Sequence, residues 1–245
     1  MHTIELVAKK SKNLKDYEWR WWSQHGEDGI IREIFNIIEP KYKQFVEIGA
    51  HFHEANCIRL KQHDHWNGFY FDDFHHFPPL GFYKQWVSVE NINQLFDSLS
   101  AAGIQLDFDV LSLDVDGVDW YLWNALDIKW QPGLVIVECN EQLGITDDKV
   151  IRYDENFRWD GSRYFGASAL AWINLGNKKG YTLLYIEDSG TNMFFIRNDL
   201  REKFEIKSLQ SLWDQLHLAT NYGKDSQNRT FISSEEASNL MSGIK

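Results

Sequence analysis

Phe45-Val-Glu-Ile-Gly49 is the stretch whose reading decides the fold. Its apolar side chains fall on both faces of an extended segment, and the run stops at a glycine. Three later stretches repeat the theme: Phe69-Tyr-Phe-Asp72, Val110-Leu-Ser-Leu-Asp114 and Leu134-Val-Ile-Val-Glu138. Each reads as a buried strand of a parallel sheet, because neither face is polar. Each also carries a carboxylate at or near its end. Ligands of an open α/β sheet lie beyond the carboxyl ends of its strands, so these acids are expected to line one cleft.

Working outward, the intervening segments read as helices. Residues 24–38 place Ile30, Ile31, Ile34, Phe35 and Ile38 on one side, with Ser23 as the expected N-cap and Pro40 beyond the end. Strand one covers 44–49 and is followed by a helix near 54–64; strand two covers 67–72. Pro78-Pro79 marks 75–83 as a loop, and a short strand is expected at 86–89. A helix at 91–102 ends at Gly103. Strand four at 108–115, a helix at 119–126 and strand five at 134–139 follow. Residues 141–165 show no period and read as a long functional loop. A helix at 167–179 ends at Gly180, and 181–186 with 193–197 form a hairpin signal around Glu-Asp-Ser-Gly-Thr-Asn. Helices near 208–217 and 234–242 complete the chain. Alternating strands and helices predict an α/β, doubly wound, mostly parallel sheet with right-handed crossovers and an antiparallel edge. The whole chain, 1–245, is expected as one domain: an N-terminal helical cap (1–40) with a polar lead-in and short helix over 1–22, a sheet core (41–200) and a helical tail (201–245).

Bulk properties exclude several classes. A length of 245 residues suffices for one large core. A net charge of −11 with no long basic stretch disfavours nucleic-acid binding. Two cysteines, Cys57 and Cys139, are too few for a disulfide framework or a cysteine-built zinc site, which fits a reducing cytoplasm. The first 22 residues hold no continuous apolar run of the signal-peptide kind, and no stretch approaches the length of a membrane span. A small polar molecule is the expected partner, with neither nucleic acid nor membrane, and the sequence is compatible with a homo-oligomer.

Six strings in order carry a resemblance: Ser23-Gln-His-Gly-Glu-Asp-Gly29, Phe45-Val-Glu-Ile-Gly-Ala50, Glu90-Asn-Ile-Asn93, Ser112-Leu-Asp-Val-Asp-Gly117, Val135-Ile-Val-Glu-Cys-Asn140 and Arg158-Trp-Asp-Gly-Ser-Arg-Tyr-Phe-Gly-Ala167. Over about residues 23–200 the chain resembles class I S-adenosylmethionine-dependent methyltransferases, in particular a bacterial family related to the FkbM-type enzymes and found among polysaccharide and natural-product genes. The resemblance implies a seven-stranded Rossmann-like sheet closed by a C-terminal antiparallel hairpin. It also implies S-adenosyl-L-methionine as cofactor and methyl transfer to an oxygen of a sugar, sugar nucleotide or phosphorylated metabolite.

Candidate roles follow from residue type and place. Gly49 lets the backbone approach the methionine part of the cofactor, and Glu47 is expected to accept from its ammonium group. The plainer role for Glu47 is to cap neighbouring backbone. Asp72 suits a ribose diol, being able to accept two hydroxyl hydrogens, with adjacent Asp73 solvated. The resemblance places Glu90 and Asn91 near the adenine, while Asn91 also reads as a helix N-cap. Gln24 is the candidate cap over the cofactor, with Glu27 and Asp28 in the first turn of its helix. Period two puts Asp114 with Asp116, and Glu138 with Asn140, on common faces. Asp114, Glu138 and Asn140 form an oxygen set suited to Mg²⁺ or Mn²⁺. Without a metal, Asp114 contacts the cofactor or acts as base and Glu138 binds acceptor hydroxyls, and these two are the candidates for acceptor-side chemistry. His51 follows the cofactor turn as a candidate base; most of the other histidines read as a surface cluster. Arg158, Arg163 and Tyr164, with Asn140, are the candidate acceptor-binding residues, since arginine recognises phosphate or carboxylate. Two competitors are an NAD-dependent sugar oxidoreductase or epimerase and a non-catalytic binding module. Ala50, His51, Phe52 and His53 follow Gly49 where a dinucleotide turn carries further glycines.

Overall fold

The computed structural model describes residues 13–218 and 222–243. The expected lead-in helix falls partly outside them; among the described residues, Leu14–Tyr17 forms a 3₁₀ turn. Fourteen regular elements follow in chain order: α1 (Glu27–Ile38), β1 (Gln44–Ile48), α2 (Ile58–Gln62), β2 (Asn67–Asp72), β3 (Phe82–Lys84), α3 (Ile92–Ala101), β4 (Val110–Leu113), α4 (Asp119–Ala125), β5 (Leu134–Glu138), α5 (Ala169–Lys179), β6 (Tyr181–Ile186), β7 (Asn192–Arg197), α6 (Leu209–Trp213) and α7 (Ser234–Ser242). The strands form one sheet in the order β3-β2-β1-β4-β5-β7-β6. β1 to β5 pair in parallel, and β7 runs antiparallel to both β5 and β6. This is the doubly wound, mostly parallel sheet with a closing antiparallel hairpin that the alternation predicts.

Apolar runs on both faces explain the burial. Every residue of β1, β4 and β5 is buried, and helices on both sides supply Ile30, Phe96, Trp120, Trp123 and Trp172 to the core. Among the described residues no helix is long and apolar enough to cross a membrane.

Four local expectations need correction. Ser23 is not the N-cap of α1, which starts at Glu27 behind Gly26. The Ser23 hydroxyl donates to Asp28 Oδ2 at 2.8 Å and accepts from the Asp28 N–H at 3.1 Å. The helix expected near 54–64 covers only 58–62, because the Glu47 carboxylate takes the Asn56 and Cys57 N–H groups and holds the preceding turn apart from it. The third strand lies at 82–84 rather than 86–89. Gly81, at φ +87°, turns the chain directly into β3 after the prolines, whereas 86–88 is drawn off the sheet by Asn91. Its Oδ1 accepts from Ser88 N and its Nδ2 donates to the Trp86 carbonyl, both at 2.9 Å. The helix expected near 208–217 shortens to 209–213.

Candidate functional site

The crossover at β1 and β4 determines where a ligand can lie. β2 and β3 extend from one side of β1, and β4 and β5 from the other. The carboxyl ends of β1, β2 and β4 therefore open onto one crevice, as at the switch point of a doubly wound sheet. A cleft of about 170 Å³ lies there, lined by Ile48, Gly49, His51, Phe71, Asp72, Asp114 and Asp116, with Trp86 and Val87 from the loop after β3. Gly49 is required by packing as well as conformation. It sits at φ +90°, and a Cβ at this position would meet the Asp114 carbonyl oxygen at 1.4 Å. Its N–H donates to the Phe71 carbonyl at 2.7 Å, which ties the turn to β2.

The electrostatics centre on β4 and β5. Asp114, Asp116 and Glu138 bring one carboxylate oxygen each to within 4.8 Å of one another. Asp114 follows β4, Glu138 ends β5, and Asp116 joins them because it adopts the left-handed conformation at φ 56°. Asp119 shapes this turn by accepting from Val115 N at 2.5 Å and Gly117 N at 2.9 Å. No Lys or Arg pairs with the three among the described residues. Glu138 is buried and its Oε2 has no hydrogen-bond partner. Desolvation pushes Asp114 well above the usual carboxylate range, and repulsion from Asp116, Asp119 and Glu47 pushes it further. Glu138 moves the same way, first through desolvation and then through Asp114. Asp119 is raised to about 6, chiefly by burial. Three carboxylates this close do not all ionise without a proton or another cation among them.

The structure sorts the candidate residues. Gly49, His51, Asp72 and Asp114 line the same cleft, and Glu138 reaches Asp114 from the neighbouring strand. Asp72 contacts the Phe74 N–H and the His75 ring, and His75 packs edge-on to His51 at 5.1 Å. Asp73, expected to be solvated, instead lines the cleft and pairs with Arg158 at 3.1 Å. The Arg158 guanidinium also covers the Trp86 ring at 3.6 Å, so this arginine borders the cleft.

The remaining candidates lie elsewhere. Glu47, expected at an ammonium group, commits both oxygens to the Asn56 and Cys57 N–H groups at 2.7 and 2.9 Å. It holds the turn ahead of α2, and desolvation there raises it to about 7. Glu90 accepts from the Tyr153 hydroxyl and borders a different cavity, next to α7. Asn91 holds the loop before α3 through its amide and makes no side-chain cap. Gln24 is exposed ahead of α1 and is not part of the cleft lining. Glu27 and Asp28 are buried and held by the fold's own donors: Glu27 accepts from His25 N, Gly26 N and Asn192 Nδ2. Asp28 Oδ2 accepts from Trp21 N, Trp22 N and Ser23 N. Asn140, expected among the oxygen ligands, donates its amide to the Arg163 and Phe165 carbonyls, which anchors the long loop. Its Oδ1 is buried without a partner. Arg163 and Tyr164 border a second cavity beyond β5.

The 141–165 loop lies close to this rim. Phe157 packs against Gly117, where a Cβ would meet its ring at 2.3 Å. The Tyr121 hydroxyl donates to the Ile151 carbonyl at 2.7 Å. Asp116 and Asp119 carry more of the site than sequence reading assigns them, and the signal for both is the close run Asp114-Val-Asp-Gly-Val-Asp119.

No protein-family profile and no curated protein matches the chain. Among solved structures, that of the pyocyanin biosynthetic protein PhzM is similar, with 16% identity and a TM-score of 0.32 over 68% of this chain and 54% of that one. The chain thus spans about half the length of that protein.

Proposed function

We propose that the protein transfers the methyl group of S-adenosyl-L-methionine to a hydroxyl oxygen of a small polar acceptor. The observation that carries this reading is the unpaired acidic cluster of Asp114, Asp116 and Glu138, set against a cleft that holds Gly49 and Asp72. A sulfonium donor is a cation, and an acidic rim with no lysine or arginine paired to it among the described residues favours one. Asp72 offers a carboxylate for ribose hydroxyls, while Phe71, Trp86 and Val87 offer an apolar wall for a purine. The strand order with antiparallel β7 also fits the resemblance to class I methyltransferases.

The chemistry is an in-line displacement. The acceptor oxygen forms a bond to the methyl carbon, the carbon–sulfur bond breaks, and its electron pair stays on sulfur. The acceptor proton passes to Asp114 or Glu138, whose raised proton affinity makes either a stronger base once ionised. His51, at the same cleft, is the alternative base. Alignment of the two reactants supplies much of the acceleration. The oxygen-only donor set and the partnerless Glu138 Oε2 also fit a divalent cation such as Mg²⁺ or Mn²⁺ held by Asp114, Asp116 and Glu138. When bound, it would supply Lewis-acid lowering of the acceptor hydroxyl pKa.

The cleft, at about 170 Å³, is smaller than the roughly 300–1,000 Å³ usual for ligand pockets. Donor entry therefore requires its mouth to widen, and the Arg158–Asp73 pair is the contact at the mouth that would part. The acceptor class is a sugar, sugar nucleotide or phosphorylated metabolite of the kind assembled into capsule polysaccharide or natural products. The working compartment is the cytoplasm. Transfer of labelled methyl from S-adenosylmethionine, measured across a panel of such acceptors with and without chelator, tests the reading. Transfer that needs a hydroxyl supports it, and dependence on a divalent ion adds the metal. Absence of donor binding at millimolar concentration overturns it.

A further inference from the structure

The cavity beyond β5 is larger than the strand-end cleft, at about 430 Å³. It lies between the start of the 141–165 loop and the 225–231 segment, which two backbone links hold together. Val150 bridges to both Ala167 and Ile232, and Arg163 N donates to the Gly223 carbonyl at 2.9 Å. Tyr164 is buried in the wall, and its hydroxyl accepts from Arg152 N at 3.0 Å. Phe231 packs on the Tyr164 ring at 4.9 Å, giving the cavity one apolar side.

Charge in this cavity is arranged differently from the rest of an acidic protein. Three cations, Lys149, Arg163 and Arg229, line it with two carboxylates, Asp147 and Asp225. Lys149 pairs with Asp147. Arg229 is fully held: Nε donates to Asp225 at 3.1 Å, and Nη2 donates to Asp160 at 2.7 Å and Ser162 Oγ at 3.0 Å. Its guanidinium also lies over the Tyr164 ring at 4.4 Å. Arg163 differs. Its backbone is fixed by Asn140 Nδ2 and Gly223, yet its guanidinium has no hydrogen bond or ion pair among the described residues. An exposed arginine with an unpaired guanidinium, on a pinned backbone at a cavity wall, is available to a planar or tetrahedral oxyanion.

We infer that this cavity binds the anionic end of a polyhydroxylated small molecule, a phosphate monoester or a carboxylate, with Arg163 as its primary contact. Asn228 offers an amide for hydroxyls, and the Tyr164–Phe231 side packs against the carbon skeleton. The inference deepens the methyl-transfer reading, on which it rests only for what lies at the other end of the ligand.

Calorimetric titration of the full chain with glucose 1-phosphate, glucuronate and neutral glucose tests it without any methyl donor. The expected result is saturable binding of at least one anion, at least tenfold tighter than glucose. Arg163→Gln should weaken that binding at least tenfold, Arg163→Lys should restore part of it, and Lys84→Gln, at an exposed site on β3, should leave it unchanged. Preference for the phosphate or for the carboxylate identifies the oxyanion. Anion binding no tighter than glucose, or an Arg163→Gln protein that binds as the wild type does, overturns the inference. A parallel titration with S-adenosylhomocysteine keeps the two proposals apart: sugar-anion binding without it counts against methyl transfer alone, and the converse counts against this cavity alone.

Discussion

Two groups of acids in this protein look alike in sequence and differ in what surrounds them. Asp28, Glu47 and Glu187 each accept hydrogen bonds from two or more backbone N–H groups. Asp114, Asp116 and Glu138 instead gather against one another, exposed at Asp116 and buried at Glu138, and no Lys or Arg pairs with them among the described residues. A buried carboxylate supplied with N–H donors is explained by the fold, because those donors replace the water it lost. Glu138, buried beside two other carboxylates, is stabilised by something the fold does not itself contain: a proton, a metal ion or a cationic ligand. The first group thus does structural work, and the proposed chemistry rests on the second.

The sharpest way to break the contrast is at Asp114. Asp114→Asn keeps the shape and removes a charge from a repelling cluster, so turnover should fall by about 10²–10⁴-fold. Thermal stability should hold or rise, because like-charge repulsion is relieved. Single-turnover methyl transfer alongside a melting curve reads both. A variant that keeps its turnover and loses stability would move Asp114 into the structural group.

Glu47 makes the opposite case. Glu47→Ala strands the Asn56 and Cys57 N–H groups, at a cost of about 2–4 kcal/mol and a drop in Tm of roughly 5–15 °C. Affinity for S-adenosylhomocysteine, measured below the new transition, should change less than threefold. A large loss of affinity with little loss of stability would return Glu47 to the cofactor site.

The pH dependence sharpens the same comparison. Glu47 is raised from 4.5 to about 7, and Asp119 from 3.8 to about 6. For both, the folded state holds the proton more tightly than the unfolded chain does. Their contribution is complete below the unfolded value and is lost as pH rises through the folded one. Stability should therefore decline between roughly pH 4 and 7, and Glu47→Gln should flatten part of that slope in a series of calorimetric scans. Mg²⁺ or S-adenosylmethionine should recover stability at the alkaline end, by masking the cluster charge. The smallest effect is expected at Glu90, which borders another cavity: Glu90→Gln should alter donor affinity by less than twofold in the same titrations.

Sequence legibility follows the same physical division. The strands were readable because residues buried on both faces leave continuous apolar runs, as in Leu134-Val-Ile-Val-Glu138. The closing hairpin and α7 were readable from turn residues and helical period. β3 was not, because Phe82 and Tyr83 follow a proline turn that masks them, while Trp86 and Val87 form an apolar run that lines the cleft instead of joining the sheet. In the site, Gly49, Asp72 and Asp114 were legible from their places at strand ends. The fate of Glu47 was not, since it depends on N–H groups nine and ten residues further on. Asp116 replaces Asn140 beside Glu138 only because its backbone is left-handed and Asn140 is tied to the long loop. Local pattern carries neither fact. Arg158 and Arg163 were expected in one acceptor-binding group, yet they border separate cavities.

The most direct test of the account is the affinity of S-adenosylmethionine for the wild-type chain and for the triple variant Asp114→Asn, Asp116→Asn, Glu138→Gln. Saturable binding to the wild type is expected, at least tenfold weaker in the triple variant, with NAD giving no heat to either. Equal donor affinity in the two proteins, or binding of NAD in place of the donor, would contradict it.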